Sequence, residues 1–138
     1  MKPYNVFISY GQRDGKLARR VSDLLRRLNT RVFSDQNLVA GDQWAAQLRD
    51  RLEKADVVVA VLTPDGVASS WLLQELGAAW ALNKPIISVV TKKDILTRVP
   101  IQLSEPQALV LGDLDTPEGR DKFVRDMEST LAANVTAG

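Results

Sequence analysis

Cysteine and histidine are both absent from the 138 residues. Without thiols there are no disulfides, no thiolate nucleophile and no Cys-ligated metal. Without imidazole, Ser-His-Asp catalysis, His-based proton transfer and most zinc sites go as well. Any catalysis must run on carboxylates, hydroxyls, Lys, Arg or backbone amides. An excess of charge is missing too. Eighteen basic residues against seventeen acidic ones leave +1, which gives no reason to expect nucleic acid or an anionic membrane as partner. The longest apolar run, VVVAVL at 57–62, is far too short to span a bilayer. The opening MKPYNV carries no apolar stretch of the signal-peptide kind. The expectation is a soluble, cytoplasmic chain.

What is present has ordinary globular proportions, 45% hydrophobic and 25% charged residues, in a length that suits one domain. YNVFISY at 4–10 is β-branched and aromatic, as a strand buried on both faces requires. In the segment that follows, Leu17, Val21, Leu24, Leu25 and Leu28 share one helical face, with Arg19, Arg20, Arg26 and Arg27 off it. RVFS at 31–34 reads as a short strand and DQNLVAGD at 35–42 as a loop, with Asp42 as cap of a helix over about 43–54. DVVVAVLT must contain a central parallel strand. Ser69 or Ser70 caps the next helix, Pro85 stops it, and IISVV is a fourth strand. ALVLG at 108–112 is the fifth. Thr116 and Pro117 open a last helix whose apolar face is Phe123, Met127 and Leu131.

This alternation predicts an α/β fold, a flavodoxin-like doubly wound five-stranded parallel sheet of order 2-1-3-4-5 with helices on both faces. The domain is placed at 1–133, with 134–138 as a flexible tail or the start of a linker. Ligands of such sheets bind beyond the carboxyl ends of the strands, here residues 9–14, 35–43, 63–70 and 91–106. Two occupants of this fold are excluded. A phosphoacceptor receiver needs acidic residues after the first strand, an Asp ending the third and a Lys after the fifth; Ser9-Tyr10-Gly11, Thr63 and Gly112-Asp113 stand there instead. A dinucleotide-binding dehydrogenase needs G-x-G-x-x-G, and YGQRDG lacks the second glycine.

VFISYGQRD, DQNLVAGDQW and LTPDGVASSWLLQEL occur in order along the chain, and together they resemble a TIR (Toll/interleukin-1 receptor) domain of the bacterial NAD+-cleaving type. The resemblance runs from Tyr4 to the last helix. It implies a W-x-x-x-E motif in Trp71-Leu72-Leu73-Gln74-Glu75, with Glu75 catalytic. It also implies NAD+ as substrate rather than cofactor, no metal, and nicotinamide released with ADP-ribose or a cyclic product in bacterial defence, signalling or virulence. By the same resemblance Ser9, Tyr10, Gly11, Asp35, Gly41, Trp44 and Trp71 contact substrate. The 35–42 loop would then dock on neighbouring copies or other TIR domains.

The residues themselves fit that reading. Trp71 and Glu75 share a helix face at i and i+4, and the helix N-terminus favours an ionised carboxylate by ~0.3–1 kcal/mol. One carboxylate facing a ribose oxocarbenium ion suffices, because nicotinamide leaves neutral without protonation. Competing readings stand beside it. Glu75 could be a solvated residue flanking a core helix, and Trp44 the core anchor of its own helix. Trp80 reads as core or interface, and the arginines of the first helix as a solvated face. Gly11, Gln12 and Gly66 depart from the family pattern. The rival function is a TIR module that assembles with other TIR domains without turnover.

Overall fold

The structure, a computed structural model, describes residues 2–35, 43–99 and 107–135. Its centre is β3 (Val57–Leu62), where all six side chains are buried. β-branched residues without a polar face can be satisfied only between two neighbouring strands and under helices on both sides. β3 accordingly pairs in parallel with β1 (Tyr4–Tyr10) and β4 (Ile86–Val90). β2 (Thr30–Phe33) joins outside β1 and β5 (Ala108–Val110) outside β4, which gives the order β2-β1-β3-β4-β5. The expected fold class stands.

Among the described residues four α-helices cover the sheet: α1 (Gly15–Leu25), α2 (Trp44–Lys54), α3 (Ser70–Ala81) and α4 (Pro117–Asn134). Strand alternation divides the core in two. Val6, Ile8, Val59 and Val61 pack with Val21, Leu25, Phe123 and Met127 of α1 and α4. Phe7, Val58, Ala60 and Leu62 pack with Leu48, Leu52, Leu72 and Leu76 of α2 and α3.

Helix ends follow local chemistry. Ser69 is the cap of α3, its hydroxyl accepting from the Leu72 amide at 3.3 Å. Thr116 caps α4 by accepting from the Gly119 amide at 3.0 Å, with Pro117 next. α3 ends where Asn83 takes φ 57°. The Asn83 and Lys84 amides then reach back to the Trp80 and Ala79 carbonyls at 3.0 Å, a left-handed closure placed ahead of Pro85.

Several boundaries differ from the sequence reading. β2 begins at Thr30 and ends at Phe33, one residue early, because Thr30 is the partner of Tyr4. β5 stops at Val110 rather than 112, since its neighbour β4 ends at Val90; the Leu111 amide takes the last carbonyl there, at 2.8 Å. The packed domain also continues past residue 133. α4 runs to Asn134, and Val135 buries its side chain in the α1–α4 core. At the start of α2, Gln43 makes no side-chain cap, and Asp42 lies outside the described residues.

Candidate active site

Glu75 sits on the second turn of α3, on the side facing the sheet, and is 1% exposed. Its Oε1 accepts a hydrogen bond of 2.6 Å from the Ser9 hydroxyl at the carboxyl end of β1. Ser9 is itself fully buried. Oε2 has no hydrogen-bond partner among the described residues. One turn nearer the helix N-terminus, the Trp71 indole N–H donates to the Asp35 carboxylate just after β2. Trp44, at the start of α2, lies against Trp71 with ring centroids 4.9 Å apart and a 54° tilt, and its own indole nitrogen is buried without a partner among the described residues. The end of β1, the residues after β2 and α3 itself thus deliver side chains to one carboxyl group, and Trp44 backs Trp71.

The electrostatics correct one sequence expectation. Glu75 is not held ionised. Its pKa is raised from 4.5 to about 9, first by burial and further by the neighbouring Asp35 carboxyl, against the opposing donors of Ser9 and Trp71. A helix-dipole contribution of ~0.3–1 kcal/mol is worth under about one pH unit and is outweighed by desolvation. The resting Glu75 is neutral.

A cavity of about 470 Å3 opens at the N-terminus of α3, lined by Gln12, Arg13, Asp65, Ser69, Ser70 and Trp71. Glu75 does not reach its wall. Trp71 borders the cavity on one side and, through Asp35 and the helix turn, the Glu75 group on the other.

A family model described as "TIR domain" matches residues 6–129. The chain belongs to the TIR domain family. No curated protein matches it. Among solved structures, the TIR domain of the Toll-related receptor TRR-2 from Hydra magnipapillata matches with a TM-score of 0.62 at 20% identity, over 91% of this chain and 98% of that one. The CMP N-glycosidase BcmB of Clostridium botulinum matches with 0.56 at 17% identity, over 91% and 98%. The TIR domains of the activated Roq1 resistosome match with 0.54 at 16% identity, over 94% and 73%. At these identities the structural likenesses speak for the fold.

In this TIR domain the residues expected to contact substrate separate into groups. Ser9, Asp35 and Trp71 gather around Glu75, with Trp44 packed against Trp71. Tyr10, one residue after Ser9, points to the opposite face of the sheet, among the α1-side core residues. Gly11 is buried where the chain after β1 meets the chain after β3; a Cβ there would stand 3.0 Å from the Gly66 Cα. Gly41 lies outside the described residues.

The crowding of Gly11 against Gly66 accounts for two of the three departures from the family pattern, since a Cβ at 66 would in turn meet the Asp14 and Thr63 side chains at 3.0 and 3.1 Å. The two segments are tied by a network that sequence reasoning missed. Thr63 donates to Asp14 at 2.6 Å and accepts from the Gly66 amide at 2.8 Å. A hydroxyl residue ending a central strand, beside a lone Asp after the first, was the available signal. Trp80 is 60% exposed, which removes the core reading for it.

Among the described residues no helix is long and apolar enough to cross a membrane, and no three carboxylates gather as a metal site.

Proposed function

We propose that this TIR domain cleaves the nicotinamide N-glycosidic bond of NAD+, with Glu75 as the catalytic carboxylate. The observation that carries the reading is the buried Glu75 carboxyl, fixed by Ser9 and enclosed by Trp71 and Asp35 at the ligand rim. A carboxyl group this costly to bury, its Oε2 without a hydrogen bond of good geometry among the described residues, suits contact with a ligand. A relative of the same fold named for CMP N-glycosidase activity adds support for glycosidic chemistry on nucleotides.

In this scheme Trp71 shifts and the nicotinamide riboside end of NAD+ passes from the α3 cavity toward Glu75. The positive pyridinium entering a desolvated site favours the ionised carboxylate, so Glu75 gives up its proton as substrate arrives. The glycosidic bond then breaks with its electron pair going to the ring nitrogen, and nicotinamide departs neutral. Glu75 stabilises the positive charge left on the ribose. Water attacks C1′ and loses a proton to Glu75 or solvent, giving ADP-ribose; attack from within the same molecule gives a cyclic product.

TIR domains commonly associate with other TIR domains, and we assign that contact here to the 35–42 loop. The deciding experiment is incubation of purified protein with NAD+, read for nicotinamide. Release by the wild type and none by Glu75→Gln supports the assignment. No release from folded, concentrated wild-type protein would leave the non-catalytic assembly module as the better reading.

A further inference from the structure

A larger cavity, about 500 Å3, lies on the opposite face of the sheet, between α1 and the edge strand β2. It shares no residue with the Glu75 group. One wall is a single face of α1, where Gly15, Ala18, Arg19, Ser22 and Arg26 succeed one another at helical spacing. Ile8, Ala18 and Val32 supply an apolar floor, and Tyr10 closes the end nearest the ligand rim. Arg51 reaches round the sheet edge from α2, its guanidinium donating to the Ser34 carbonyl.

Two features of this lining call for a ligand. The first is charge. Arg19 and Arg26 face one carboxylate in the lining, Asp23, which pairs with Arg26 at 3.3 Å. The other two arginines off the apolar face of α1 are tied to acidic residues around the start of α4, Arg20 to Asp115 at 2.8 Å and Arg27 to Asp121 at 3.0 Å. Arg19 has no such partner among the described residues, so its positive charge is left to the cavity it lines. The second is Ser22. It is 8% exposed, lines the cavity, and its hydroxyl makes no hydrogen bond to a described residue. A serine inside a helix commonly satisfies itself on the carbonyl four residues back; this one leaves its hydroxyl open to the cavity, available to a ligand.

We propose that this cavity binds a small phosphorylated molecule with an apolar or aromatic body. The phosphate is held at the mouth by Arg19 and Arg26, whose planar guanidiniums match its oxygens. The body lies over Ile8, Ala18 and Val32 with Ser22 as its buried polar contact. The volume falls in the range of small-molecule sites. The site is independent of NAD+ cleavage and stands whether or not that reaction occurs.

The probe is AMP, with inorganic phosphate and adenosine as its two halves, titrated into 15N-labelled protein and measured in parallel by calorimetry. Saturable AMP binding is expected, moving the amide signals of Ala18, Ser22 and Val32, with both halves binding more weakly than AMP. Arg19→Gln, an exposed change that leaves the core intact, weakens AMP roughly tenfold or more, the loss expected for one charge-assisted contact. Ser22→Leu fills the cavity and abolishes binding; its melting curve shows whether it folds, and Arg19→Gln decides the matter if it does not. Glu75→Gln leaves the affinity unchanged. Absence of AMP binding would overturn the proposal. So would shifts confined to Trp71 and its neighbours, adenosine binding as tightly as AMP, or an Arg19→Gln protein of undiminished affinity.

Discussion

Ser9 and Glu75, 66 positions apart in sequence, meet through a 2.6 Å hydrogen bond in the interior of the domain. The hydroxyl is the donor, and it lowers the carboxyl pKa against the larger effect of burial. Ser9→Ala should therefore remove the hydrogen bond to the Glu75 Oε1. We expect a stability loss of about 1–3 kcal/mol, measured by urea unfolding. NAD+ cleavage should fall as the carboxyl is pushed further up, with a deficit that shrinks as pH is raised. An equal deficit at every pH would limit Ser9 to orienting the side chain.

Glu75 also couples stability to pH. Its folded pKa of about 9 lies above the ordinary carboxyl value of 4.5, so between those values the native state holds a proton that the unfolded chain has released. This contribution is complete below about pH 4.5 and is lost as pH rises through 9. Glu75→Gln keeps the shape without the titration. It should melt at a higher temperature than wild type at pH 8, and the gap should close toward pH 5. Parallel melting-temperature profiles for the two proteins would contradict the assigned shift.

The pH dependence of kcat/KM for NAD+ should rise toward an apparent pKa near 9, because this quantity follows ionisation of the free enzyme. Asp35 is one cause of the elevation. Asp35→Asn, which can still accept from the Trp71 indole, should move the ascending limb to lower pH. A limb fixed in place by that substitution would remove Asp35 from the electrostatics of the site.

Gly11→Ala tests the junction between the segments after β1 and β3. The new methyl group would stand 3.0 Å from the Gly66 Cα and 3.4 Å from the Ser69 Cβ. Backbone must shift to admit it, at a cost of about 1–3 kcal/mol. Because Ser69 caps α3, the same shift should disturb the helix that carries Glu75. Thermal melts and NAD+ turnover both report the effect, and a variant matching wild type in each would show the junction to be pliable.

The loop at 35–42 contains Leu38, Val39, Ala40 and Gly41, an apolar segment suited to docking on another surface. If it completes the site of a neighbouring copy, activity per chain rises with protein concentration, and Gly41→Pro lowers it by restricting the backbone. Specific activity that stays flat from dilute to concentrated protein would mean that each copy holds a complete site.

The sheet order could be read from the sequence because β-branched runs and helical periodicities alternate without ambiguity. The W-x-x-x-E pair was legible for a similar reason, being local to one helix. Other features depend on contacts between distant segments. Strand alternation separates Ser9 from Tyr10 across the sheet, a parity that motif matching passes over. The raised pKa of Glu75 arises from burial and from Asp35, which follows β2, against the donor Ser9 of β1, and none of this is local to its own helix. The approach of Gly11 to Gly66 joins segments 55 positions apart, and neither local sequence shows it.

Trp44 and Trp71, with ring centroids 4.9 Å apart and planes inclined at 54°, form a coupled pair of chromophores, while the third tryptophan, Trp80, stands largely in solvent. Such a pair produces a signed couplet in circular dichroism that neither indole gives alone. Separation of Trp71 from Trp44 weakens it steeply, so the domain carries an optical signal for the arrangement around Glu75 without any added label.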